Sequence, residues 1–451
     1  MIKNMTKGNP AKLIILFSLP MLLGNVFQQF YNLVDSAVVG KCVGTQALAA
    51  VGSTTSAVFL ITGFAAGVAT GFSVVMSQRF GAGDNAGLRR AYAMTLLISA
   101  IMSAVLTYVS LRYTRRLLVL MRTPEDIIED ASLYIGIVFA GLFATIFYNV
   151  LSGAMRALGD SVSPLIFLIV CSLLNVGLDL LFVIYFKMGV KGVAWATVIS
   201  QLVSAIMCLI RLAAVKELRL KPGDFIPDFK IIFQILKIGL PLGFQMSITA
   251  IGVMAIQVTV NGLGTPVIAA YTAASKIEQL AMQPSLSFGL ALATYTGQNY
   301  GAKQFERIRR GIKHGIAISM TVCVVLGGLL CVFGRNIATL FLSENDSKVA
   351  GTVLDNAQLY IAVCSAFVWV LGLLYIYRNA LQGLGNAFVP FISGIAELVL
   401  RVASAVWLSG KIGFTGVSLS SPIAWVGATV PLMTAFYVIV KKREKAHLKT
   451  A

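Results

Sequence analysis

Charge is what this 451-residue sequence has least of: only 12% of its residues are Asp, Glu, Lys or Arg, about half the share of a soluble domain. So few cannot cover a water-facing surface, which excludes a soluble enzyme. Histidine is nearly absent. His314 and His447 stand alone, with no nucleophile and base or metal-ligand pattern around them, so no enzyme is expected. The six cysteines are scattered without a CxxC spacing, which excludes a disulfide framework or a zinc site. No Walker sequence is present, which excludes ATP as the direct energy source. The N-terminus starts basic and then apolar, yet Gln28, Gln29, Asn32 and Asp35 follow without a small-residue cleavage site; an uncleaved first helix is expected.

Apolar residues fill the space that charge leaves. They make up 57% of the chain, and the mean hydropathy is +0.84. Twelve long apolar runs stand at 13–38, 47–76, 91–111, 129–156, 162–185, 190–211, 232–261, 266–297, 312–333, 356–380, 388–409 and 415–440. Each reaches the roughly 20 residues that a helix needs to cross a bilayer. The longest connections, near 112–128, 212–231 and 334–355, are too short for a core of their own. The expected fold is an all-α integral membrane protein with twelve transmembrane helices.

Lysine and arginine alternate between the connections unevenly. One side collects 23 of them, among them Lys3, Arg79, Arg89, Arg156, Arg211, Arg307, Arg378 and Lys449. The other has 10, including Lys41, Arg112, Arg115, Arg116, Arg122, Arg335 and Lys348. Basic residues resist translocation, so the richer side, with both termini, is expected to be cytoplasmic in a multi-pass cell membrane protein. The net charge of +18 is mostly this bias, and no nucleic-acid partner is expected.

The chain is written twice. Gln78-Arg79-Phe80-Gly81-Ala82 with Arg89-Arg90 matches Gln298-Asn299-Tyr300-Gly301-Ala302 with Arg309-Arg310 at an offset of 220. Pro20 matches Pro241, Leu158-Gly159-Asp160 with Pro164 matches Leu384-Gly385-Asn386 with Pro390, and Gly189 with Gly192-Val193 matches Gly413 with Gly416-Val417. Four matches in order at nearly constant offset mark a duplication. Six helices per repeat give both copies one orientation, with a pseudo-two-fold along the membrane normal. The expected organisation is a six-helix lobe over 1–215, a polar cytoplasmic linker over 216–231, a second lobe over 232–440 and a basic tail over 441–451. Two such lobes around a cavity are transporter architecture.

Ionisable groups inside apolar spans are costly, about 2.5–3.5 kcal/mol each at a helix centre, so those present need a reason. The embedded acids are Asp35, Asp179, Glu278 and Glu397; the embedded bases are Lys276 and Arg401, with Lys237 nearer an edge. Gly24, Gln28, Tyr31 and Asp35 recur at helical spacing as one polar stripe, and Asn175 lies one turn from Asp179. Counting about 1.5 Å per residue places both aspartates in the outer halves of their spans, where they can meet. Converging carboxylates repel each other and lose solvation, a cost relieved by a proton or by a hard cation such as Na⁺ held through carboxylate, amide and hydroxyl oxygens. The second repeat has Ile256 or Gln257, Arg401 and Ala405 where the first has Asp35, Asn175 and Asp179. Coupling is therefore expected in the first lobe alone. Glu397 and Arg401, four apart, neutralise each other. Phe27, Gln28, Tyr31, Gln245, Met246, Met254, Gln257, Glu278 and Met282 are the candidate substrate-cavity residues, with aromatic faces and adaptable methionines suited to bulky organic cations.

The duplicated six-helix pattern, Pro20 and Asp35, the Gln-x-x-Gly-Ala loops and the Leu-Gly-Asp/Asn loops resemble the multidrug and toxic compound extrusion (MATE) family over essentially the whole chain. The resemblance implies a secondary antiporter that expels organic, often cationic, compounds in exchange for H⁺ or Na⁺. In the branch with its cation site in the N-lobe, the family pattern falls on Asp35, on Asn175 and Asp179, and on Thr197, with Tyr134 and Asn149 completing the polar network. It also implies a conformational role for Pro20, whose ring frees a backbone carbonyl. Glu278 resembles an acid seen in many members, but the seventh span carries no carboxylate, so C-lobe coupling is not expected.

The resulting expectation is a monomeric multidrug antiporter with no cofactor, driven by the ion gradient, with organic cations and the lipid bilayer as its partners. A flippase for lipid-linked precursors is the alternative. It would call for more helices and an arginine-rich cavity, whereas only Arg401 lies deep in a span.

Overall fold

With no water inside a bilayer to satisfy backbone N–H and C=O groups, a long apolar run must close its hydrogen bonds within itself, as a helix. The computed structural model describes residues 2–121, 123–339 and 347–448, and their regular structure is entirely helical. The first repeat forms α1 (Pro10–Val38), α2 (Thr45–Gly81), α3 (Asn85–Leu120), α4 (Ile128–Ala140), α5 (Leu142–Ala157), α6 (Val162–Leu180) and α7 (Val190–Ala213). The second forms α8 (Phe229–Asn261), α9 (Thr265–Gly301), α10 (Phe305–Thr339), α11 (Ser347–Ala366), α12 (Val368–Gly383), α13 (Phe388–Ile412) and α14 (Phe414–Leu448). Arg122, Lys449 and the side chain of Lys348 lie outside the described residues.

Among the described residues nine helices are long and apolar enough to span a membrane, and the pairs α4–α5 and α11–α12 each make one more. The helix α9 is 37 residues long, enough to cross a bilayer, but is less apolar than these; counting it gives the expected twelve. The runs at 129–156 and 356–380 are not straight single helices: they bend by 46° and 47°. The first bend has a steric cause. A Cβ on Gly141 would stand 2.3 Å from Val198 of α7, so glycine lets α7 press into the break.

The duplication is written into the backbone. Gly44 and Gly264, Gly159 and Gly385, and Gly189 and Gly413 all have positive φ, as do Gly83 and its counterpart Lys303. Gly192 N–H donates to Gly189 O at 3.1 Å and Gly416 N–H to Gly413 O at 3.0 Å, the same turn in both copies. Asp160 accepts from Ser163 N at 3.0 Å, and Asn386 from Val389 N at 3.2 Å, so the two Leu-Gly-Asp/Asn loops are helix N-caps. Burial opposes the charge on Asp160, but the backbone N–H and hydroxyl of Ser163 outweigh it and hold the carboxyl below the usual range.

Lys303, at φ 59°, occupies a left-handed position that its repeat fills with glycine. Lys303→Gly is expected to stabilise the protein by roughly 1 kcal/mol, read as a raised melting temperature in detergent; an unchanged or lowered one would contradict it.

The chain forms two compact units, one of Met1–Asn4 with Leu23–Ser247 and one of Met5–Leu22 with Ile248–Ala451. In the first, α2 meets the opening half of α8 through glycines of both helices. A Cβ on Gly67 would fall 2.4 Å from Leu242 O, and one on Gly71 2.4 Å from Gly239 Cα. Gly67 and Gly71 on one side, and Gly239 and Gly243 on the other, are two small-residue pairs at four-residue spacing that let the backbones touch. In the second unit the buried core includes Met5, Phe17, Tyr295, Tyr360, Trp425 and Phe436. Its Gln-x-x-Gly-Ala motif ties down the start of the chain. Gln298 Oε1 accepts from Met5 N at 2.7 Å, and Asn299 Nδ2 donates to Met5 O at 3.2 Å.

Candidate functional site

The helices α1 and α6 carry the two aspartates, and each ends in a π-helical turn, over Val39–Val43 and Leu181–Tyr185. Wide turns of this kind concentrate at functional sites. Gly44 N–H closes the first onto Val39 O at 3.1 Å, and Phe186 N–H the second onto Leu181 O at 3.0 Å. Val39 and Val183 of these turns pack with Ala47, Val190 and Val193 in a small apolar cluster that Tyr134 borders.

Beside this cluster the Asp35 and Asp179 carboxyl groups come within hydrogen-bonding reach of each other. Tyr134 and Tyr31 lie close to both, and Thr197, whose hydroxyl donates to Val193 O at 3.0 Å, lies near Tyr31. Asp179 is 0% exposed and Asn175 1%. Apart from this approach of the two carboxyl groups, among the described residues no hydrogen-bond partner is found for Asp35 Oδ1, for either Asp179 oxygen or for either end of the Asn175 amide, and neither carboxylate has an ion pair with a lysine or arginine. Native proteins rarely leave buried polar atoms unmet, and such a cluster calls for a proton, an ion or water. The donor set suits either route. Two carboxylates can share one proton, and carboxylate, amide and hydroxyl oxygens are the ligands that a hard monovalent cation takes. No group of three or more His, Cys, Asp or Glu side chains that could hold a metal ion occurs among the described residues.

The second unit treats its charges differently. Glu397 is held between Arg378 at 2.6 Å and Arg401 at 2.7 Å. Glu278 Oε2 accepts from Tyr360 Oη at 2.8 Å and feels the charge of Arg401. Glu278 and Glu397 thus have Arg378 and Arg401 as counter-charges, while Lys276 on α9 is exposed. Arg378 is 8% exposed, so it serves as a buried counter-charge and not as the cytoplasmic flanking residue that its place in the sequence suggested. Glu278 and Met282 line one cavity with Ser365 and Trp425, of about 20 Å³. That volume holds about one water molecule and no drug-sized compound.

A family model, MatE, matches residues 20–181 and 241–407, one stretch in each repeat. The chain belongs to the MatE family. It is therefore a transporter integral to the membrane. The chain is 29% identical over 417 residues to the probable multidrug resistance protein YpnP of Bacillus subtilis (strain 168), with 92% of each chain covered. It is similar to a crystal structure of MATE in complex with MaL6, with a TM-score of 0.90 at 26% identity over 99% of each chain. It is also similar to the outward-facing conformation of a multidrug resistance MATE family transporter of the MOP superfamily, with a TM-score of 0.89 at 26% identity, covering 99% of this chain and 98% of that one.

In this MatE chain the residues expected at an ion site are distributed unevenly. Asp35, Asp179, Tyr134 and Thr197 meet, with Asn175 one turn from Asp179 on α6. Asn149 donates to Thr145 O of its own helix at 2.9 Å. Tyr31, expected in the substrate cavity, stands in the carboxylate cluster. Gln245 is buried, while Gln28 and Met246 on the first unit stay at least partly exposed and Phe27 is half-buried. On the second unit Met254 is half-buried, and Gln257 bonds Asn261 of its own helix at 2.9 Å. Pro20 lies inside a continuous α1, as Pro241 lies inside α8. Sequence reasoning passed over Ser200 and Gln201, which follow Thr197 at three and four residues on α7 and have unmet side-chain oxygens; their helical spacing behind Thr197 was the available signal.

Proposed function

We propose that this MatE chain is a secondary active multidrug antiporter, exporting organic cations in exchange for H⁺ or Na⁺ by alternating access, with both termini cytoplasmic and the monomer as the working unit. The observation that carries the reading is the contrast between the units: the buried arginines of the second are paired with acids, whereas among the described residues the Asp35 and Asp179 pair has no lysine or arginine partner. A proton or Na⁺ supplies what the pair lacks. Export of drugs is supported by the multidrug names of relatives covering more than nine tenths of the chain.

In this reading the ion enters the cluster of Asp35, Asp179, Asn175 and Thr197, and Tyr31 links it to the face of α1 that carries Phe27 and Gln28. Occupancy of the cluster removes the repulsion between the carboxylates and so changes the preferred packing of α1 against α6. Drug and ion each favour a different state, and a ligand shifts an equilibrium only by such differential affinity. Pro20 gives α1 a place to bend as it repacks. Twelve spans and the neutralised Arg401 disfavour the flippase alternative.

The test is efflux of ethidium from sealed vesicles under imposed pH or Na⁺ gradients. Gradient-dependent export is expected with at least one ion. Export that ignores both gradients would end the antiport reading.

A further inference from the structure

The C-terminal end of α3 carries a feature that drug transport leaves unexplained. Arg112, Arg115 and Arg116 occupy one face at three- and four-residue spacing, and all three are exposed. They line, with Val119 and Leu120, a shallow open hollow of about 540 Å³. Tyr113 stands between two of the guanidinium groups, at 6.0 Å from Arg112 and 5.7 Å from Arg116, and orients them by cation–π attraction. None of the three makes an ion pair with a carboxylate among the described residues.

The duplicated chain supplies its own comparison. At the same offset of 220, α10 has Val332, Arg335 and Asn336. The one arginine that remains there is neutralised by Asp355 at 2.6 Å. Three unpaired arginines in one copy, against one paired arginine in the other, make the α3 end a departure from the repeat and not a product of it.

The same face continues down the helix as an apolar stripe. Ile101, Val105 and Tyr108 are 64%, 55% and 71% exposed, and their spacing leads straight to Arg112. The helix is long and apolar enough to cross a membrane. Exposed aliphatic positions along a span face acyl chains, tyrosine marks the interface, and arginine just beyond it meets headgroups. A guanidinium fork also matches phosphate oxygens in a bidentate way that a lysine does not.

We propose that the Arg112, Arg115 and Arg116 face of α3 binds the phosphate of an anionic phospholipid, whose chains lie along Ile101, Val105 and Tyr108. This site lies apart from the carboxylate cluster and does not depend on the antiport reading. Its role is to bind a lipid at the end of one span, with Tyr113 pre-positioning two of the three donors.

Native mass spectrometry of the purified full chain, loaded with equal phosphatidylglycerol and phosphatidylcholine, tests it. Retention of the anionic lipid is expected to exceed that of the neutral one on the order of 100-fold, about fivefold per arginine. R112Q/R115Q/R116Q should lose that preference, whereas R335Q on the repeat-related helix should keep it. Should the triple variant fold poorly, Arg116→Gln alone is expected to lose about fivefold. An unchanged preference in the triple or single variant, or an equal loss in R335Q, would overturn the proposal.

Discussion

Asp179→Asn is expected to abolish uphill export while leaving the protein folded. The exchange is nearly isosteric and removes one member of a pair of carboxyl groups that lie within hydrogen-bonding reach of each other. An electrochemical ion gradient worth about 150 mV yields roughly 3.5 kcal/mol per charge, which sustains a substrate gradient of a few hundred-fold. Without the second carboxylate that driving force is uncoupled. The steady-state ethidium gradient across vesicles should fall from that level to about one, with facilitated downhill equilibration retained. The amide of asparagine gives Asp35 a neutral hydrogen-bond donor, so stability should hold or rise. Equal accumulation gradients in the variant and the parent would remove Asp179 from coupling.

Glu397→Gln should have the opposite profile, with stability lost first. Glu397 lies between Arg378 and Arg401, all three side chains being between 10% and 14% exposed. Neutralising the acid leaves two buried guanidinium groups with one distant compensation, the charge of Glu278 near Arg401. Breaking a buried ion pair by removing one partner costs about 3–5 kcal/mol. Thermal unfolding in detergent should show the loss directly. Adding Arg378→Met should recover most of it, because Arg401 then still has Glu278. No recovery in the double variant would mean that the cost lies elsewhere than in the unpaired Arg378.

The sequence was most informative where physics leaves one solution. Apolar runs longer than 20 residues must be helices in lipid, and three of the four repeat matches reappear as paired positive-φ residues and paired N-caps, while the fourth, Pro20 and Pro241, reappears as a proline inside a helix in each copy. The meeting of Asp35 and Asp179 was legible because each stands on a polar helix face at comparable depth. Breaks within spans were not. The bend at Gly141 depends on how closely Val198 of another helix approaches, and no local pattern records that. The π-helical turns after both aspartates, whose Val39 and Val183 pack in one buried cluster, were equally hidden. Arg378 looked like a flanking charge because its partner, Glu397, is 19 residues away on a different helix. Tyr31 was placed with the substrate because its stripe on α1 serves both ends, and only its nearness in space to Asp179 and Tyr134 on other helices decides the matter.

The central claim is that the carboxylate pair of the first unit takes up an ion as drug leaves. The most direct measurement is ion movement itself, followed in proteoliposomes with a pH-sensitive dye or ²²Na⁺ while an outward ethidium gradient is applied and no ion gradient is imposed. The account predicts drug-evoked counterflow of H⁺ or Na⁺ in the parent protein and none in Asp35→Asn or Asp179→Asn. Counterflow of equal size in both variants would contradict it.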